Sequence, residues 1–152
     1  MSASPSRIRV LFLCTGNSCR SQMAEGWARA LRADSIDACS AGTDPHGLNP
    51  LAVRVMQEAG VDISGHVSQA VDAFDLSTID VVATVCDAAH EQCPVIPGLK
   101  GIRQVHRSFD DPPRLARDAA SEEEALGHYR RVRDEIRAWV ETMPGSLGVS
   151  DK

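Results

Sequence analysis

The stretch VLFLCTGNSCRSQMAEG, residues Val10–Gly26, predicts a buried strand, a loop and the first turns of a helix. The apolar run that ends at Cys14 has the length of a strand, and apolar or small residues recur at helical spacing after Ser21. The loop between them, CTGNSCR, begins with Cys14 and ends with Arg20. A thiol is therefore expected where a strand meets a loop, with an arginine at the far end of that loop.

Strand-like and helix-like segments alternate along the rest of the chain. Strands are predicted at Arg7–Cys14, Ile36–Ser40, Ile79–Cys86 and, more weakly, Ile102–Val105, and helices at Ser21–Leu31, Leu51–Ala59 and from the cap residue Ser121 to Met143. Such alternation favours an α/β fold, here a three-layer αβα sandwich with a mainly parallel four-stranded sheet. We expect one domain over residues 1–152, with a loose tail at 144–152. Ligands collect at the carboxyl ends of parallel strands, where Cys14 and Cys86 are both predicted to lie.

Composition excludes several classes of function. A net charge of -5 argues against nonspecific binding to nucleic acid. The apolar runs are too short to cross a membrane, and no signal-peptide apolar region follows Met1–Arg9, so a cytoplasmic protein is expected. Five cysteines form an odd set in a chain without an export signal, which indicates free thiols rather than a disulfide framework.

The loop CTGNSCR has the chemistry of an anion site. Gly16 and Asn17 can take the positive φ that turns successive backbone N–H groups inward at the start of a helix. The Arg20 guanidinium can hold two oxygens of a tetrahedral oxyanion, and its charge favours a Cys14 thiolate. The predicted oxyanion-binding residues are Thr15, Gly16, Asn17, Ser18, Cys19, Arg20 and Ser21. The alternative is a buried strand-end cysteine with a surface arginine, and no nucleotide-binding glycine motif is present.

Five motifs together resemble the thioredoxin-coupled arsenate reductases, which share the fold of the low-molecular-weight tyrosine phosphatases. They are the loop with its flanks, SAGT at Ser40–Thr43, HGLNP at His46–Pro50, VCDAAHEQCP at Val85–Pro94 and FDDPP at Phe109–Pro113. The likeness covers roughly residues 7–143. The loop alone fits either a reductase or a phosphatase, so the other motifs favour the reductase.

The resemblance implies roles for three thiols and one carboxyl group. Cys14 attacks arsenic, Asp111 supplies a proton, Cys86 attacks Cys14, and Cys93 then forms a Cys86–Cys93 disulfide for thioredoxin. Pro112 restricts the backbone of its predecessor, which favours Asp111 over the adjacent Asp110 as the oriented acid. The matching family position gives no redox role to Cys19.

The spacing of Cys86 and Cys93 matches neither zinc sites nor redox C-x-x-C motifs. If residues 87–92 were helical, the two Cα atoms would lie about 10 Å apart, beyond the roughly 4.4 to 6.8 Å that a disulfide allows. A disulfide between them therefore requires this segment to unwind.

Some reductases of this family hold a potassium ion through Asn, Glu, Ser and Asp side chains. Asn17, Glu25 and Ser40 match the first three, but Gln69 stands at the fourth. An amide carries no charge, so we expect little potassium dependence, no metal site and no cofactor.

Two other functions remain open on the sequence. One is a phosphatase for small or tyrosine phosphomonoesters that uses Cys14, Arg20 and Asp111; the low aromatic content, 4%, argues against a slot lined by rings. The other is a noncatalytic thiol protein that binds arsenite or a soft metal through its cysteines. Thioredoxin, glutaredoxin and mycothiol systems all remain possible reductants, and a monomer is expected.

Overall fold

The computed structural model describes residues 7–86 and 101–148. The strands are β1 (Ile8–Cys14), β2 (Ile36–Gly42), β3 (Val81–Thr84) and β4 (Arg103–His106). The helices are α1 (Arg20–Leu31), α2 (Pro50–Glu58), α3 (Pro112–Ala116) and α4 (Glu122–Val140). Short 3-10 turns lie at Val71–Ala73, Leu76–Thr78 and Gly145–Leu147.

The four strands form one parallel sheet in the order β2-β1-β3-β4. In the central strand β1, Val10, Leu11, Phe12 and Leu13 are each 0% exposed. Since successive strand residues point to opposite faces, both faces of β1 are covered. The predicted α/β fold with a parallel four-stranded sheet is confirmed. The carboxyl ends of β1 and β3 are neighbours at one edge, which places the loop after Cys14 beside the segment after Thr84.

Helix α4 follows the predicted pattern closely. The Ser121 hydroxyl caps it by accepting the Glu124 N–H at 3.1 Å. Apolar residues recur at steps of three or four along this segment, and all of them are buried: Ala125, Tyr129, Val132, Ile136, Trp139 and Met143. The Trp139 ring lies edge-on to Phe12 of β1, with 5.9 Å between the ring centroids, so α4 packs directly on the centre of the sheet.

The third strand is shorter than the predicted Ile79–Cys86. The Ile79 N–H bonds back to the Leu76 carbonyl and closes a 3-10 turn, so the parallel pairing of β3 begins only at Val81. It ends at Thr84, which puts Cys86 in the connection beyond the strand.

Part of the tail is packed, in contrast to the predicted loose tail. Leu147 is 0% exposed, and its carbonyl accepts the Arg103 Nε–H at 2.7 Å. Residues 149–152 lie outside the described residues. Among the described residues, no helix has the length and apolar character that crossing a bilayer requires.

Candidate active site

The loop between β1 and α1 is held by its carbonyl groups. The segment Thr43–Asn49 supplies four backbone N–H donors, which bond to the carbonyls of Cys14, Thr15, Gly16 and Ser18 at 2.8 to 3.2 Å. The Gln22 Nε2–H bonds to the Asn17 carbonyl at 3.0 Å, and the Met23 N–H to the Cys19 carbonyl at 2.9 Å. Each of the six carbonyls from Cys14 to Cys19 therefore accepts a hydrogen bond from another part of the protein.

The backbone N–H groups of the same loop have no such partners. Within residues 7–86 and 101–148, none of the N–H groups of residues 15–19 makes a hydrogen bond. Asn17 takes the positive φ of 47° that the sequence allowed, whereas Gly16 is not among the residues with positive φ. A Cβ at Gly16 would lie 3.0 Å from the His46 Nδ1, a close contact that a small shift of this exposed ring relieves. A row of free N–H donors is the arrangement that binds an anion.

The Cys14 thiol is buried, and it contacts a chain of polar side chains beneath the loop. Its Sγ lies 2.9 Å from the Ser21 Oγ. The Asn17 Oδ1 accepts the backbone N–H of Gln69 at 2.8 Å, which fixes the amide so that its Nδ2 donates to the Ser21 Oγ at 2.9 Å. A thiolate has no proton to give, so Ser21 is the donor whenever Cys14 is ionised. The chain therefore stabilises the nucleophilic form of Cys14.

Arg20 and Asp111 lie together at the end of the loop where helix α1 begins. The Arg20 Nη1–H donates to the Phe109 carbonyl at 2.8 Å, and its Nη2 lies 3.6 Å from the Asp111 Oδ1. Asp110 points elsewhere and forms an ion pair of 2.9 Å with Arg131 on α4. The structure thus places Asp111, and not Asp110, beside Arg20.

A cavity of about 560 Å³ brings most of the predicted residues together. Its lining includes Cys14, Thr15, Gly16, Ser18, Cys19, Arg20, Cys86 and Asp111. The Cys86 Sγ lies 3.6 Å from the Thr15 Oγ1, so the second thiol borders the loop directly. Asn17 and Ser21 are 0% exposed and support the loop from below rather than line the cavity. Cys93 and the segment 87–92 lie outside the described residues.

Two further thiols are suited to packing rather than chemistry. Burial, together with the neighbouring Cys14, raises the pKa of the Cys19 thiol far above its usual range. Burial raises the pKa of the Cys39 thiol to about 11. Both thiols therefore stay protonated near neutral pH, as expected for structural cysteines.

The oxygens that matched a potassium site already have other partners. The Glu25 carboxylate accepts the Ser40 hydroxyl at 2.6 Å and pairs with the Arg29 Nε at 2.9 Å. The Asn17 Oδ1 accepts two N–H groups, those of Gln69 and Gln22. The Arg29 guanidinium supplies the positive charge beside Glu25, so these residues do not fit a potassium ion. Among the described residues, no group of three or more His, Cys, Asp or Glu side chains could hold a metal.

Sequence reasoning missed the role of Thr43–Asn49 and of Gln22. The motifs SAGT and HGLNP marked the segment, but nothing in them indicated that its N–H groups bind the carbonyls of a loop some 30 residues earlier. Gly42 makes this approach possible, because a Cβ there would lie 2.6 Å from the Thr15 carbonyl oxygen. The assembled site can hold a tetrahedral oxyanion above Cys14, with an acid and a second thiol beside it.

Comparisons with known proteins agree with this geometry. The family model for low molecular weight phosphotyrosine protein phosphatases matches residues 9–148. An arsenate reductase of Bacillus subtilis (strain 168) is 48% identical over 127 residues, which cover 84% of this chain and 88% of the relative. A solved arsenate reductase in its phosphate-binding state gives a TM-score of 0.72 at 31% identity, over 92% of this chain and 98% of the other.

A low-molecular-weight protein tyrosine phosphatase from T. tengcongensis has a similar structure, with a TM-score of 0.74. Its sequence identity is lower, 25%, over 91% of this chain and 99% of the other. The two kinds of relative share one fold, and the higher sequence identity lies with the reductases. The chain therefore belongs to the low molecular weight phosphotyrosine protein phosphatase family, and within that family it groups with the arsenate reductases.

Proposed function

We propose that this protein reduces arsenate to arsenite through a relay in which Cys14, Cys86 and Cys93 act in turn. The observation that carries the proposal is that the Cys86 thiol borders the same cavity as Cys14, 3.6 Å from the loop residue Thr15. Hydrolysis of a phosphate ester needs only one nucleophile. Reduction of arsenate needs two electrons, and two neighbouring thiols supply them when they join in a disulfide.

In the first step the loop N–H groups and Arg20 hold the arsenate oxygens above Cys14. The Cys14 thiolate attacks arsenic and forms an S–As bond. Asp111 gives its proton to the departing oxygen, which leaves as water. The 3.6 Å contact between Asp111 and Arg20 supports this role, because it keeps the carboxyl group next to the bound oxyanion.

In the second step the Cys86 thiolate attacks the Cys14 sulfur. The S–As bond breaks, its electron pair goes to arsenic, and arsenite leaves as As(III). Two thiols have then become one Cys14–Cys86 disulfide, which balances the two electrons that arsenic gained. Cys93 next attacks Cys86, frees the Cys14 thiolate and leaves a Cys86–Cys93 disulfide.

A thiol reductant must reduce this last disulfide before another turnover. We propose thioredoxin, because its dithiol can exchange with an accessible protein disulfide. A disulfide that has to be reduced in every cycle suits a reducing compartment, so we place the protein in the cytoplasm, and we expect it to act as a monomer.

The test is arsenate-dependent oxidation of NADPH in the presence of thioredoxin and thioredoxin reductase. We expect turnover in the wild type, none in Cys14→Ser, and at most a single turnover in Cys86→Ser. Cys39→Ser is the matched control, because it removes a buried thiol that lies outside the cavity. Repeated turnover by Cys86→Ser would contradict the relay. In Cys93→Ser, mass spectrometry after thiol trapping should find a Cys14–Cys86 disulfide.

Hydrolysis of small phosphomonoesters is a second candidate. Cys14, Arg20 and Asp111 line one cavity and supply the nucleophile, the oxyanion clamp and the acid that this reaction needs. Turnover of an aryl phosphate without any thiol reductant, at a rate above that with arsenate, would favour it.

A further inference from the structure

The cavity above Cys14 is larger than a tetrahedral oxyanion requires. Its volume of about 560 Å³ falls within the range of about 300 to 1,000 Å³ that is typical of sites for small organic ligands. An oxyanion has only five non-hydrogen atoms and would be seated at the loop. The outer part of the cavity therefore has room for an organic group attached to that oxyanion.

Two arginines border this cavity without partners of their own. Arg114 lies in α3 and Arg117 caps its end, so the two are three residues apart on one helical turn. Among the described residues, neither makes an ion pair or a side-chain hydrogen bond. The arginines of α4 differ in this respect: Arg130 pairs with Glu58 and Arg131 with Asp110.

His46 and Asn49, which also line the cavity, already have partners. His46 faces Asp44 at 3.2 Å, and the Asn49 Nδ2–H donates to the Tyr129 Oη at 3.0 Å. Asp111 is the one carboxylate of the described lining, and it lies beside Arg20. Phe, Tyr and Trp side chains are absent from that lining. The mouth of the cavity is therefore cationic, although the whole chain carries a net charge of -5.

We propose that Arg114 and Arg117 form a second anion subsite, through which this protein prefers, among small phosphomonoesters, those whose leaving group carries an anionic group such as a carboxylate. The inference rests on the proposed roles of Cys14, Arg20 and Asp111. The loop holds the phosphoryl group, and the two guanidinium groups contact the second anion at the mouth. A neutral ester of the same size lacks that contact and is bound less well.

The reaction needs no reductant. The Cys14 thiolate attacks phosphorus, an S–P bond forms, and the ester P–O bond breaks while Asp111 protonates the leaving oxygen. Water then attacks phosphorus and loses a proton to Asp111. The S–P bond breaks, which returns the thiolate and releases inorganic phosphate.

The experiment compares two esters of nearly equal size, 4-carboxyphenyl phosphate and 4-carbamoylphenyl phosphate. Because the carbamoyl ester is neutral at the second group, the ratio of the two kcat/KM values isolates the charge contact. In the wild type at low salt we expect a ratio of about tenfold in favour of the carboxylate, the effect of two exposed charge contacts. High salt should reduce that ratio.

The variants Arg114→Gln, Arg117→Gln and the double variant assign the preference to residues. Arg114 also borders a neighbouring cavity lined by Asp110, Asp118 and Glu124, and these carboxylates compete for its guanidinium group. The single variants therefore show how much each arginine contributes to binding the second anion of the ester. The double variant is expected to bring the ratio close to one. Arg54→Gln is the control, because it removes an equal charge from an exposed ion pair with Glu122 outside the cavity.

A wild-type ratio near one, a ratio that survives in the double variant, or no hydrolysis of either ester would overturn the inference. Arsenate reduction is measured on the same preparations. If the wild type reduces arsenate but shows no preference between the esters, the inference is wrong and the proposed function stands. If it hydrolyses the anionic ester preferentially but does not reduce arsenate, only the proposed function is wrong.

Discussion

Replacing Ser21 by alanine should make the Cys14 thiol much less reactive while leaving the fold intact. The Ser21 hydroxyl is 0% exposed and lies 2.9 Å from the Cys14 Sγ. A hydrogen bond to a charged group contributes about 1.5 to 3 kcal/mol, so its loss should slow the reaction of the Cys14 sulfur with an alkylating agent by about 10-fold to 150-fold. The Asn17 Nδ2–H also loses its acceptor, which should cost about 1 to 3 kcal/mol of stability, or several degrees in Tm.

The assay is the rate at which iodoacetamide alkylates Cys14 at pH 7 and 25 °C, read by mass spectrometry. Ser68→Ala is the matched control. The Ser68 hydroxyl supports the same loop by donating to the Gly16 carbonyl at 3.2 Å, and it makes no contact with the thiol. We expect this variant to keep its Cys14 reactivity within about threefold of the wild type, because the loss of a neutral hydrogen bond has a small net effect.

Thermal unfolding separates this effect on the thiol from a loss of folding. A Ser21→Ala protein that is still folded at 25 °C should be alkylated more slowly than the wild type, whereas an unfolded chain would expose Cys14 and be alkylated faster. A Ser21→Ala protein that is alkylated within about twofold of the wild-type rate at pH 7 would refute the reasoning, because it would show no hydrogen bond to the thiolate.

Three other outcomes follow from the same structure. Arg20→Lys should lower kcat/KM for arsenate by at least about tenfold, because an ammonium cannot hold two oxygens in one plane, and a loss below about fivefold would show that Arg20 is not the clamp. Exchanging potassium for a bulky organic cation at constant ionic strength should change the arsenate Michaelis constant by less than about twofold, because Arg29 already neutralises Glu25, whereas the double substitution Arg29→Gln and Gln69→Asp should create a response. Burial raises the pKa of Cys39 to about 11, so this thiol should resist iodoacetamide at pH 8 and react only in strong alkali. Its protonated form is favoured by folding; that contribution to stability is complete below the usual thiol pKa and is lost as the pH rises through 11, which alkaline unfolding curves of the wild type and Cys39→Ser can measure.

The local elements of this protein were predictable because their signals lie within a few residues of one another. The strand, loop and helix around Cys14 and the stripe of α4 follow from apolar spacing, which depends on the geometry of a single element. Pro112 distinguished Asp111 from Asp110 for the same reason, since it constrains only its immediate predecessor. The ends of β3 were misplaced because a β-branched run does not indicate where pairing with a neighbouring strand begins.

The sequence by itself therefore determined the thiol, the arginine and the short loop that joins them. Only the tertiary structure decided what surrounds that loop. The N–H groups of Thr43–Asn49 hydrogen-bond to the carbonyls of the loop, and Arg29 forms an ion pair with Glu25. Arg114 and Arg117 line the mouth of the cavity. Except for the pair Arg29 and Glu25 on one helix, these contacts join residues separated by about 30 to 100 positions. They depend on the strand order β2-β1-β3-β4, which spacing along the chain does not encode.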